Sequence, residues 1–137
     1  MYYDLPGGGQ HPYESLEQAL RREVLEETGY TPGSIRFAAL AEEIVVHPDL
    51  RARHPEYAHR ILHIFLAEFE NQSPLCPTEK DWGMQESLWM PLEEAAHLTE
   101  LYPPGLGAHL SALAQGGAPI FLGTCPQCTR GNTPGGV

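Results

Sequence analysis

The chain has 137 residues, 18 of them acidic against 8 basic, for a net charge of −10. That length is enough for one domain with a real core, and the acidic balance argues against tracking a nucleic-acid polymer or an anionic membrane. The 14 glycines and 13 prolines imply a loop-rich fold but fall short of a disordered composition. No apolar run is long enough to span a bilayer, and no signal peptide opens the chain. Three cysteines make no disulfide framework, so a reducing cytoplasm is the default location.

In chain order, Met1 to Leu5 reads as a short strand that runs into the turn Pro6-Gly7-Gly8-Gly9. A helix follows. Ser15 and Gln18 have capping-box spacing. Gly29 can take the left-handed conformation that ends the helix, and Thr31-Pro32-Gly33 then enforces a turn. Ser34 to Val46 is β-prone, with Ile35, Phe37 and Ala39 alternating. A loop with two His-Pro pairs leads to Ile61–Phe69, the strongest strand. The first half of that strand is apolar on both faces, which implies a central, covered position.

Ser87 to Met90 reads as another short strand, ended by Pro91. Leu92 to Leu98 and Leu106 to Ala114 read as helices, the second stopped by Gly116-Gly117, and Pro119 to Leu122 as a final edge strand. After Gly123 the composition has little to bury, so the expected organisation is a domain over 1–123 and a flexible tail over 124–137. Helices on a mixed sheet make the fold class α/β.

The segment Arg22 to Gly29, REVLEETG, carries the chemistry. Glu23, Glu26 and Glu27 stand at i, i+3 and i+4, so their side chains are neighbours on one helix face. The earlier part of that face holds Leu16, Ala19 and Leu20, which should sit on the sheet. Like charges this close repel, and the helix macrodipole disfavours acids near a C-terminus. A hard divalent cation, Mg²⁺ or Mn²⁺, would resolve the conflict and recruit substrate phosphates. Arg22 reaches Glu26 at i+4 and can orient it. The bland alternative is a solvated acidic helix end with ordinary ion pairs. The glycine turn weighs against that alternative, because it lets backbone approach a ligand closely.

Gly8, Glu14, Arg22, Glu23, Val24, Glu26, Glu27, Gly29 and Tyr30 together resemble the Nudix box: G, five residues, E, seven residues, then R-E-U-x-E-E-x-G-U with U bulky and apolar. Tyr30 stands where an aliphatic residue is more usual. Tyr13 stands where the family often has glycine. The resemblance extends more loosely from Leu5 to Gly123. It implies an α/β/α sandwich with a mixed sheet, and Mg²⁺- or Mn²⁺-dependent hydrolysis of a nucleoside diphosphate linked to another moiety. The partner is then a small nucleotide.

By position, the resemblance makes Glu23, Glu26 and Glu27 metal ligands, with Glu23 the alternative candidate to activate water. The carbonyl of Gly7 or Gly8 would be a further ligand. Arg22 and Glu14 would hold loop and helix in register, with Gly29 closing the motif. Many members place an additional acid in a later loop, and Glu86 is the candidate; the catalytic set is then Arg22, Glu23, Glu26 and Glu86. The family usually has one or two strands before the glycine turn. Here only Met1 to Leu5 precede it, so another element or a second subunit should fill the sheet edge, and a homodimer is one remedy. A nucleotide-binding module without turnover, or a truncated fragment, is the alternative to an enzyme.

Weaker signals remain. Arg51, Arg53 and Arg60 could receive substrate phosphates, or belong to a basic solvated loop. His63 reads as a core histidine. Trp82, Trp89, Tyr57 and Phe65 could stack on a base but read more readily as core. Cys125 and Cys128 form half a zinc knuckle, which Cys76 and a histidine could complete, against the simpler reading of a floppy tail.

Overall fold

The computed structural model describes residues 2–69 and 87–127. Three strands organise the described chain. β1 (Ile35–Val45) lies in the centre, antiparallel to β2 (His59–Ala67) on one side and parallel to β3 (Ile120–Gln127) on the other. The sheet is therefore mixed, and with its helices the fold is α/β.

The alternation expected of Ile35, Phe37 and Ala39 breaks inside β1. Phe37 pairs with Phe65 and Ala39 with Ile64, so a bulge lies between them. One extra residue reverses which face each later side chain occupies. Phe37 remains exposed, its ring meeting Phe65 edge-to-face at 5.6 Å. Past the bulge, Ala39, Ala41, Glu43 and Val45 are buried in turn.

The covered face packs on the helices that follow. These are α3 (Leu92–Ala96), a 3-10 turn at Gly107–His109 and α4 (Leu110–Ala114). The core joins Ala38, Ala39 and Ile64 to Leu106, Leu110 and Leu113. Gly107 permits the close helix approach: a Cβ there would lie 3.0 Å from the Ala96 carbonyl oxygen. Arg36 fastens the same face, with Nη2 donating to the Leu113 carbonyl.

Several expectations change. β2 is an edge of the described sheet, not its centre, and Ile61 and His63 on its outer face are exposed. α4 and the 3-10 turn pack on the face bearing Ile64, while Ile61 and His63 on the other face are exposed among the described residues. Tyr57 and Trp89 are also exposed. Residues 87–90 form no strand. The His-Pro segment holds a short helix, α2 (Pro48–Arg53), and a 3-10 turn at Pro55–Tyr57.

At the N-terminal end, Tyr3 alone makes a parallel bridge, to Leu101. On the side of β1 away from β2 lies β3. That strand runs past Gly123 to Gln127 with Cys125 buried, so 124–127 sit in the sheet and not in a tail. Residues 128–137, including Cys128, lie outside the described residues, as do Cys76, Trp82 and Glu86.

α1 (Leu16–Thr28) has the caps its sequence calls for. The Gln18 amide donates to Ser15 Oγ at 3.1 Å, and the Ser15 amide to Gln18 Oε1 at 2.9 Å. Gly29 ends the helix at φ 80°. Leu16 is exposed, however, and burial begins at Ala19, continuing with Val24 and Glu27. The first turn of α1 thus projects past its packing partners. No helix among the described residues is long and apolar enough to cross a membrane.

The core assignment predicts that Leu106→Ala, at a site 1% exposed, lowers unfolding free energy by about 2–5 kcal/mol. Urea denaturation measures this. A loss below about 1 kcal/mol would mean that the 3-10 turn and α4 do not close the core.

Candidate active site

The glycine turn is fastened to the second half of α1 by backbone and carboxylate. The Gly7 amide donates to Glu27 Oε2 at 2.8 Å, and Glu27 is 2% exposed. Gly8 lies directly against Glu23: a Cβ added there would fall 2.6 Å from Glu23 Cδ and 2.8 Å from Oε2. Only glycine admits the backbone this close without moving the carboxylate. Ser87 Oγ donates to the Glu27 carbonyl at 3.0 Å, bringing a later segment to the same helix end.

Arg22 is the hub. Its Nε and Nη2 take both oxygens of Glu14, at 2.8 and 2.9 Å. Nη2 also reaches the Gly9 carbonyl at 3.0 Å. Nη1 reaches Glu23 Oε1 at 2.8 Å and Glu26 Oε2 at 3.2 Å. One planar guanidinium thereby joins the turn, the residue before the helix and two helix acids. Arginine thus supplies counter-charge to Glu23 as well as to Glu26, beyond the i+4 contact the spacing implies.

The electrostatics follow from these contacts. The Arg22 guanidinium, and after it the His11 amide, hold the Glu14 carboxyl down at about 2. Glu14 in turn is the main group that raises Arg22 above its ordinary value. Tyr13 stands at φ 65°, left-handed backbone that favours glycine, to deliver Glu14 to this place. That conformation accounts for the glycine common at this position in the resembled family.

The donors fit a hard divalent cation by chemistry. Glu23, Glu26 and Glu27 offer carboxylate oxygens on the half of α1 that the glycine turn meets. They are not gathered into a preformed ligand cluster: no group of three or more His, Cys, Asp or Glu side chains converges for a metal among the described residues. Arg22 instead holds Glu23 and Glu26 as a pair.

The other candidate residues lie elsewhere. Arg51 donates through Nε to the Val45 carbonyl, and Arg53 is exposed, 3.5 Å from the Asp49 carbonyl. Arg60 is bound to Glu43, a fully buried acid that sequence reading passed over. Its signal was present in the series Ala39, Ala41, Glu43, Val45, where an acid occupies an apolar-face position. Cys125 is buried beside Glu43, and burial, then the Glu43 carboxylate, raises its thiol above the ordinary value.

The depressed Glu14 carboxyl predicts a specific acid response. Its folded-state value of about 2 lies below the ordinary 4.5. Glu14 therefore adds stability above pH 4.5 and loses it as pH falls toward about 2. Thermal melts of Glu14→Gln should show a shallower fall than the wild type across that window, and lower stability at neutral pH. Equal slopes would mean that the Arg22 contact does not exist in solution.

A family model for the NUDIX domain matches residues 2–109. A stretch of 45 residues is 51% identical to a protein of Bacillus subtilis (strain 168) named "Putative 8-oxo-dGTP diphosphatase", covering 33% of this chain and 26% of that one. The aligned stretch is therefore about a quarter of the length of that curated relative. No solved structure gives a significant match. With the family match running through the glycine turn, α1 and most of the sheet, the chain belongs to the NUDIX domain family.

Proposed function

We propose that the protein hydrolyses the phosphoanhydride bond of a nucleoside diphosphate linked to another moiety, using Mg²⁺ or Mn²⁺ at the C-terminal half of α1. One observation carries this reading. Arg22 assembles Glu14, Glu23 and Glu26 against a glycine turn whose first amide is fixed by Glu27. Glu23, Glu26 and Glu27 would hold the metal, with the Gly7 or Gly8 carbonyl beside them. A divalent ion bound there would neutralise phosphate charge and lower the pKa of a water.

The chain's own groups do the rest. Glu23, pressed against Gly8, is the candidate to take the proton from the attacking water instead of holding the metal, which Glu26 and Glu27 would then hold. Arg22 keeps Glu23 and Glu26 oriented, and Glu14 keeps Arg22 in place. Glu86 is proposed as a supplementary acid. The relative's printed name makes 8-oxo-dGTP the first substrate to test.

The test is a panel of nucleoside diphosphate derivatives, 8-oxo-dGTP included, with Mg²⁺. The wild type should turn over at least one member, and a folded Glu26→Gln variant should lose on the order of a hundredfold or more. Equal turnover by both would remove Glu26 from the mechanism. Binding without turnover by the wild type would replace the enzyme with a nucleotide-binding module.

A further inference from the structure

We propose that Glu43 is a positioning residue: its buried carboxylate fixes the Arg60 guanidinium so that the outward edge of that guanidinium receives an anionic group of the nucleotide. The inference rests on the function proposed above. It adds an anion contact that neither the glycine turn nor α1 supplies.

The cluster is built by strand register. Glu43 on β1 stands opposite Arg60 on β2 and opposite Cys125 on β3. Its side chain is fully buried, with Ala41 and Val45 buried on either side along the strand. A lone carboxylate in such a place would be costly. Arg60 Nε donates to Glu43 Oε1 at 2.8 Å, Arg60 Nη2 donates to the same oxygen, and the Tyr102 hydroxyl donates to Oε2.

This contact occupies one edge of the guanidinium. The Arg60 side chain stays 30% exposed. Among the described residues its Nη1 makes no hydrogen bond, and its Cζ lies 5.9 Å from the centre of the exposed Tyr57 ring. A guanidinium gripped along one edge and resting on an aromatic ring has lost most of its freedom before any ligand arrives. Pre-ordering of this kind strengthens a charged contact. Stability alone is a weak reason for the arrangement, since apolar residues of similar size often replace a buried ion pair at no loss.

The chain also ties this cluster to the acids of α1. The Tyr102 amide donates to the Tyr3 carbonyl at 2.8 Å. Tyr3 precedes Gly7, which is fixed to Glu27, by a four-residue step that spans at most about 14 Å.

The test is calorimetric binding of the non-hydrolysable α,β-methylene analogue of dGTP in Mg²⁺, with folding checked by circular dichroism. Arg60→Ala and Glu43→Gln should each weaken binding by about tenfold or more. The double variant should be little worse than Arg60→Ala, because the two residues act as one unit. Arg60→Lys should also lose affinity, because a point charge cannot keep the grip on Glu43.

Wild-type affinity in Arg60→Ala or Arg60→Lys overturns the inference, and these two variants decide it if Glu43→Gln fails to fold. A folded Glu43→Gln that binds normally while Arg60→Ala does not removes Glu43 from the role. A fall in melting temperature with affinity unmoved makes the pair purely structural and also overturns it. If the wild type does not bind the analogue at all, this inference is overturned, while the proposed function stands or falls with the turnover panel.

Discussion

The Arg22 guanidinium determines the shape of the candidate site. Its donors meet an acid from before the helix, a carbonyl from the glycine turn and two acids from the helix itself. Without it, Glu14, Glu23 and Glu26 would be a set of like charges with no reason to converge. With it, the acids are ordered in a fixed arrangement beside the turn. The contact is partly sheltered from solvent, with Arg22 20% and Glu23 12% exposed at the side chain, so screening weakens it less than an ordinary surface pair.

Around that hub, the turn and helix restrain each other through different atoms. Glu27 holds the Gly7 amide, Glu23 lies against Gly8, and Arg22 holds the Gly9 carbonyl. Each successive glycine therefore meets a different residue of α1. The same segment continues back to Tyr3, which pairs with the stretch from Glu100 to Tyr102. A short N-terminal strip thus connects the acidic helix end to the side of the sheet where Arg60 grips the buried Glu43.

The local features were legible because short-range chemistry fixes them. Ser15 and Gln18 cap α1, Gly29 ends it, and Arg22 reaches Glu26 and Glu14 at the spacings the motif sets. The features that depend on distant partners were not. Nothing in the alternation of Ile35, Phe37 and Ala39 announces a bulge, because the extra residue is defined only by pairing with β2. Ile61 to Phe65 looked central because apolar residues on both faces are read as two covers, while among the described residues Ile61 and His63 are exposed. The second half of β3, residues 124–127 with Cys125, looked like the start of a tail because the composition after Gly123 is polar and glycine-rich, yet register beside β1 holds it. Glu43 was the one missed residue with a usable signal, an acid at a buried step of an alternating strand.

The central proposal is that Glu23 and Glu26, which Arg22 holds, take a divalent ion together with Glu27 at the glycine turn. Paramagnetic broadening of backbone amide signals during a Mn²⁺ titration tests it most directly. The account predicts that Gly7, Gly8, Glu23, Glu26 and Glu27 broaden first and together, at low Mn²⁺, and that excess Mg²⁺ restores them. Broadening that begins elsewhere on this acidic surface, with those five signals unaffected, would contradict it.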